Sequence, residues 1–180
     1  MMNNDIEKVL MTEEEIKACV AQLGKKIAAD YTDEPLTLVC ILKGASVFFA
    51  DVMRAIDLPL QIDFMSVSSY GNDTKSKGVV QILKDLSTDV TGRNILLVED
   101  IVDSGNTLAY LKEYLSNRGA KTVEICAFLD KPSRREKAVE VKYVGMTMPD
   151  EFLVGYGLDY AEDYRNLPYV GVLKRSVYEK

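Results

Sequence analysis

The stretch LLVEDIVDSGNTL, residues 96–108, gathers the groups in this sequence best suited to chemistry. Glu99 and Asp100 are adjacent carboxylates, and Asp103 follows three positions on. Ser104, Gly105, Asn106 and Thr107 then make a short polar turn that leads into a helical pattern. Glycine reaches backbone angles that other residues resist, so Gly105 allows several amides to converge on one point. That point lies at a helix N-terminus, where free N–H groups and the dipole favour a phosphate. The Ser104 and Thr107 hydroxyls can add hydrogen bonds. One short segment therefore offers an anion cradle with three carboxylates beside it. Acids at a strand-to-helix turn are commonly caps or solvated charges. Two adjacent carboxylates, a third three positions on and a hydroxyl-rich glycine turn, however, make a rarer combination than a lone GxGxxG.

What is missing narrows the chemistry further. The chain has 180 residues and no histidine, which excludes Ser-His-Asp and Cys-His nucleophiles and imidazole-ligated zinc. Acid–base work must fall to Asp, Glu, Lys, Tyr or Cys. The 28 acidic against 22 basic residues, net −6, argue against a broad nucleic-acid surface. Cys19, Cys40 and Cys126 form no CxxC pair, which favours buried free thiols in a reducing compartment. No apolar stretch approaches the roughly 20 residues of a membrane span. The start, MMNNDIEKVL, lacks the basic and apolar regions of a signal peptide. A cytoplasmic protein with no membrane partner is expected.

The elements that must position the acidic turn can be read from periodicity. Residues 12–29 predict a helix: Thr12 and Glu15 fit a capping box, and Ile16, Val20, Leu23 and Ile27 recur at helical spacing. Leu36–Leu42 is a continuous apolar run, as in a strand buried on both faces. A helix follows over Ser46–Ile56, then strands at Gln61–Val67 and Val79–Leu83 around a polar loop, residues 68–78. Arg93–Val98 is another buried strand, followed by the acidic turn, a helix from about Thr107 to Asn117, and a strand at Thr122–Leu129. Gly119 sits where a helix C-cap glycine belongs. This alternation predicts an α/β fold with a mainly parallel central sheet flanked by helices. The strand-like pieces near Val141–Val144, Phe152–Tyr156 and Tyr169–Leu173 read as an appended hood. One domain, residues 1–180, is expected, with its core over about 30–135 and its hood from the N-terminal segment and about 140–180.

Residues 96–108 resemble the phosphoribosyl-pyrophosphate (PRPP) binding motif of the type I phosphoribosyltransferases. LKG at 42–44, SSYGND at 68–73, DK at 130–131 and PDEFLVGYGLDYAEDYRNLPYV at 149–170 are similar to motifs of the 6-oxopurine branch, the hypoxanthine (hypoxanthine-guanine) phosphoribosyltransferases. The resemblance runs from about Leu36 to Leu173.

It implies a purine-salvage glycosyltransferase. Ribose 5-phosphate would pass from PRPP to hypoxanthine or guanine, giving IMP or GMP and pyrophosphate, with Mg²⁺ as cofactor. By resemblance, Ser104, Gly105, Asn106 and Thr107 bind the 5-phosphate. Glu99 and Asp100 face the ribose hydroxyls and a magnesium ion, and Asp159 holds a second. Lys43, Gly44 and Arg165 meet pyrophosphate. Asp103 acts as general base or acid, for which partial burial would have to raise its pKa. Ser69 and Tyr70 begin a lid that would keep water from the reactive sugar. Lys131 donates to the 6-oxygen of the base, Phe152 stacks on it, and Leu153 offers backbone groups to its edge. The basic residues of 133–142, among them Arg134, Arg135 and Lys137, receive no role. A homodimer or homotetramer is implied.

Taken locally, Lys43-Gly44 is an ordinary polar turn, Lys131 a solvated lysine and Phe152 a core aromatic. Two rival functions use the same acids: a PRPP-binding regulator of this fold that acts on RNA, and a receiver-like phosphoacceptor. The first would not need the purine-pocket matches, and the second draws its acids from separate strands.

Overall fold

The computed structural model describes residues 2–70 and 79–179. A short 3-10 turn, Met2–Asp5, precedes strand β1 (Ile6–Met11) and helix α1 (Glu13–Asp30). Then follow β2 (Leu36–Leu42), α2 (Ser46–Ala55), β3 (Leu60–Tyr70), β4 (Val79–Lys84), β5 (Asn94–Val102) and α3 (Asn106–Asn117). The chain closes with β6 (Thr122–Asp130), β7 (Tyr143–Thr147), β8 (Leu153–Val154), β9 (Val170–Leu173) and a helical turn, α4 (Arg175–Tyr178). Thr12 caps α1 as its sequence predicts: its hydroxyl accepts from the Glu15 amide, and the Glu15 carboxylate accepts from the Thr12 amide.

Six strands form one sheet in the order β4-β3-β2-β5-β6-β7, parallel except for the β3–β4 hairpin. The apolar runs divide by alternation. Leu38, Cys40, Leu96, Val98, Cys126 and Phe128 face the layer made by α1 and α2. Val39, Ile41, Ile95, Leu97, Ile125 and Ala127 face the opposite layer, with Leu108, Leu111 and Leu115 of α3. Because both faces are covered, β2 and β5 need apolar side chains at consecutive positions rather than every second one. A second sheet, β1-β9-β8, is antiparallel and joins the N-terminal segment to the last third of the chain.

Three expectations change. The piece near Val141–Val144, read with the hood, instead supplies β7, a parallel edge strand beside β6. Tyr143 anchors it, fully buried, with its hydroxyl donating to Asp30 at 2.7 Å. The strand expected to stop at Val98 continues to Val102, because β6 keeps pairing with it through Ile101 and Val102 after β2 has left at Val98. Glu99 and Asp100 thus lie within β5. Ser69 and Tyr70, expected to open a lid loop, are the last residues of β3, paired with Val80 and Val79. The rest of that loop, 71–78, falls outside the described residues.

Asp63 ties the β3–β4 hairpin to the segment leading into β5. It is buried, and its carboxylate accepts from the amides of Phe64, Ser87 and Thr88 and from the Thr88 hydroxyl, at 2.8–3.0 Å. Burial alone would raise its pKa, but these donors overcome that and hold it below the ordinary aspartate range. The stabilisation is therefore present above the unfolded value, near ~3.9, and is lost as pH falls through the lower folded value. Asp63→Asn should cost about 2–3 kcal/mol at neutral pH. The gap between mutant and wild-type urea midpoints should narrow below about pH 4. A gap of constant size down to pH 3 would contradict this account.

Candidate active site

The carboxyl ends of β2, β5 and β6 open toward the residues that follow β8, which is where parallel α/β sheets bind ligands. Two cavities meet there. The first, about 330 Å³, is lined by Lys43 and Gly44 after β2, by Glu99 through Gly105 with Thr107 and Leu108, and by Asp159 and Arg165. The second, about 360 Å³, is lined by Lys131, Arg134, Asp150, Glu151, Phe152, Leu153, Leu158 and Tyr178. Asp100, Ile101, Asp103 and Asp159 border both, so a row of acids divides them.

The turn after β5 is built as its composition suggests. Gly105 occupies the N-cap of α3 at φ +79°, and no side chain caps that helix, in contrast to α1. The amides of Thr107 and Leu108 in its first turn are left for an anion. A Cβ on Gly105 would crowd the Lys137 carbonyl at 2.7 Å, so this position needs glycine for space as well as for its angles. Ser104 Oγ accepts from the Asn106 amide at 3.3 Å, and the Ser104 carbonyl accepts from the amides of Glu136 and Lys137. The Asn106 side chain points elsewhere: its amide donates to Glu136 at 2.8 Å, and Asn106 is not among the residues lining the cavity.

Gly44 and Asp100 interlock. A Cβ on Gly44 would overlap the Asp100 carboxylate, and Asp100 in turn accepts from the Ile101 amide at 2.7 Å. The peptide between Leu42 and Lys43 is cis. Burial pushes the Glu99 carboxyl well above the usual range, and the neighbouring Asp100 charge adds to this. Burial also raises Asp100, against the opposing influence of Glu99, the Ile101 amide and Arg165. Oε2 of Glu99 and Oδ1 of Asp103 are buried without hydrogen-bond partners among the described residues. A ligand would satisfy both.

The cations of the first cavity are already paired with acids. Lys43 contacts Glu162 at 3.0 Å, and Arg165 contacts Asp159 at 2.9 Å and Glu162 at 3.4 Å. Arg165 also donates to the Gly157 carbonyl at 2.8 Å. The loop that presents these acids is unusual, with Ala161, Glu162 and Tyr164 all at positive φ (52°, 70° and 75°). Non-glycine residues seldom adopt such angles outside functional sites. In the second cavity Lys131 is buried, and its ammonium donates to the Glu151 carbonyl at 2.7 Å. Burial holds its pKa below the ordinary lysine value.

The structure thus brings together Lys43, Gly44, Glu99, Asp100, Asp103, Ser104, Gly105, Thr107, Asp159 and Arg165 at one cavity, and Lys131, Phe152 and Leu153 at the other. The side chains of Ser69 and Tyr70 lie outside the described residues. Sequence reasoning missed Arg135, which donates to the Asp103 carbonyl at 2.8 Å and pairs with Asp130. It also missed Arg134, Asp150, Glu151 and Tyr178 at the second cavity. The signal for the arginines was their place just beyond a buried strand's carboxyl end, where parallel α/β sheets bind ligands. Nothing local marks Tyr178.

The phosphoribosyl transferase domain family matches residues 9–161. The hypoxanthine-guanine phosphoribosyltransferase of Bacillus subtilis is 55% identical over 179 residues, covering 99% of both chains. A crystal structure of a hypoxanthine phosphoribosyltransferase from Staphylococcus aureus superposes with a TM-score of 0.96 at 49% identity, over 99% of this chain and 97% of that one. A mutant hypoxanthine phosphoribosyltransferase from Trypanosoma cruzi, in a ternary substrates complex, gives 0.92 at 37% identity, over 97% and 99%. The chain belongs to the phosphoribosyltransferase family, and within it to the hypoxanthine-guanine phosphoribosyltransferases, enzymes of purine salvage. These matches give no support to the regulator or the phosphoacceptor reading.

Since Gly44 leaves room for the Asp100 carboxylate, Gly44→Ala should displace it. Turnover should fall about a hundredfold, the scale of an ångström-sized misplacement, while far-ultraviolet circular dichroism stays unchanged. Wild-type turnover from the folded variant would show that this interlock has no part in the reaction.

Proposed function

We propose that the first cavity holds PRPP and the second the 6-oxopurine, with Asp103 at their junction handling the proton. The observation that carries this reading is the pair of adjoining cavities: one has a phosphate cradle and two cations, the other a buried lysine and an aromatic ring, and Asp103 borders both. In the transfer, the bond from the sugar's anomeric carbon to pyrophosphate breaks and a bond to a purine nitrogen forms. The amides around Gly105, with the Ser104 and Thr107 hydroxyls, hold the 5-phosphate. Lys43 and Arg165 neutralise the departing pyrophosphate, exchanging their present carboxylate partners for its oxygens. Asp103 takes the proton that the purine nitrogen gives up. Its backbone is pinned by Arg135, which fixes where the carboxylate can reach. Hypoxanthine and guanine are both in scope, since each carries the 6-oxygen that Lys131 would contact.

Magnesium fits the donor set. Glu99 offers a buried oxygen with no partner, and both Glu99 and Asp100 have raised pKa values that a nearby cation would offset. Among the described residues no group of three or more Asp, Glu, Cys or His is gathered tightly enough to hold a metal alone. Water and substrate oxygens would complete the shell, as magnesium commonly requires. When bound it supplies positive charge against the ribose hydroxyls and pyrophosphate. Glu99 and Asp100 would hold it there, and Asp159 would face a second ion once freed from Arg165.

The family resemblance supports a homodimer or homotetramer. A cytoplasmic setting is supported by three free cysteines, and among the described residues no helix is long and apolar enough to cross a membrane.

Asp103→Asn should lower kcat about a hundredfold or more, the usual range for losing one general base, with both KM values little changed. Near-full turnover in that variant would remove Asp103 from proton transfer. Lys131→Met should raise the hypoxanthine KM tenfold or more, about the worth of a charged hydrogen bond, and leave the PRPP KM alone. Unchanged hypoxanthine affinity would overturn the lysine's assignment.

A further inference from the structure

Tyr178 places a second aromatic ring at the purine cavity. It lies in the α4 turn and lines that cavity beside Phe152 and Lys131. Its ring stacks on Phe152, with centroids 4.8 Å apart and planes inclined by 25°. Tyr160 meets Phe152 edge-on, at 5.5 Å and 87°. Phe152 is 37% exposed, so core packing does not by itself fix its ring plane. The chain is held just before the turn that carries Tyr178. The Leu173 amide donates to the Phe152 carbonyl, and the Lys174 amide donates to the Asp5 carbonyl, both at 2.9 Å. The cavity persists at about 360 Å³ beside the stacked pair, so Tyr178 forms its wall without filling it.

We infer that Tyr178 is a positioning residue for the purine. By stacking on Phe152 it sets the plane of the ring against which the base lies, and so it contributes to base affinity rather than to the transfer step. This rests on the reading of Phe152 as the base-stacking residue. Aromatic pairs favour offset-stacked or edge-to-face geometry over a face-to-face sandwich. The stacked Tyr178 with the edge-on Tyr160 gives the Phe152 ring a defined orientation before the base arrives.

The test is steady-state kinetics with hypoxanthine and PRPP varied in turn, on wild type, Tyr178→Ala and Tyr178→Phe. Tyr178→Ala should raise the hypoxanthine KM about three- to tenfold, the factor carried by one aromatic pair. Its kcat and PRPP KM should stay within about twofold of wild type, and Tyr178→Phe should restore the hypoxanthine KM. An unchanged or lowered hypoxanthine KM in Tyr178→Ala overturns the inference, as does an equal rise for both substrates. The chain has no tryptophan, so Tyr178→Trp creates a single fluorescent reporter. Its emission should respond to IMP and not to ribose 5-phosphate; silence toward IMP overturns the inference even if the alanine variant fails to fold. Absent wild-type turnover of hypoxanthine would instead sink the reading of the whole cavity. Intact wild-type turnover beside an unaffected Tyr178→Ala sinks Tyr178 alone.

Discussion

Two adjacent carboxylates within the last paired stretch of a strand otherwise buried on both faces constrain everything around them. β5 carries Ile95, Leu96, Leu97 and Val98, each fully buried, and then Glu99 and Asp100. Burial disfavours the charged form of each, and their proximity makes ionising both harder still. A sequence seeking only stability would continue with apolar residues here. The acids persist in a fold that shapes itself to them: Gly44 gives up a side chain for Asp100, and Arg165 sets a positive charge nearby. A site of this kind is under-satisfied on its own and better satisfied with cationic and hydroxyl-bearing ligands in place.

The two-sheet arrangement follows from that demand. The large sheet can present acids and a phosphate cradle at its edge, but it offers no wall for a flat, apolar-faced base. On the proposed reading the small sheet supplies that wall. Phe152 immediately precedes β8 and Leu153 opens it, and the Leu173 amide at the end of β9 donates to the Phe152 carbonyl. β1 closes the arrangement by pairing with β9, which brings the N-terminal segment into support of residues far along the chain. Lys131 connects the two parts. It leaves the end of β6, and its ammonium donates to the Glu151 carbonyl just before β8.

Much of this was legible in the sequence, for a physical reason: the informative features are local. The capping box of α1, the apolar run that became β2 and the glycine turn before α3 are all set by neighbours within a few residues. What was not legible depends on where the chain travels. Val141–Val144 is too short and too mixed to reveal whether it joins the large sheet or the small one, and only a neighbour such as β6 decides it. The true end of β5 depends on β6 outlasting β2 as a partner. Arg135 and Tyr178 matter through contacts with Asp103 and Phe152, residues remote in sequence. The place of Arg135 beyond a strand's carboxyl end hints at a site but not at its partner, and nothing local marks Tyr178.

A net charge of −6 is on its face a poor match for a substrate bearing a phosphate and a pyrophosphate, yet the local pairing resolves this. Bringing an isolated cation to a half-buried site is costly, and so is leaving one there unpaired. Arg165 avoids both because Asp159 neutralises it, whereas the exposed Lys43 meets Glu162 at the surface, where an ion pair is worth little. On the proposed reading, substrate anions replace carboxylates as partners, so binding at Arg165 exchanges one ion pair for another instead of desolvating a new charge alone. The acids released by the exchange are themselves oxygen donors, suited to a cation arriving with the substrate. On that reading an acidic chain binds a polyanion by keeping its half-buried cation paired with one of its own acids until the substrate takes over that role.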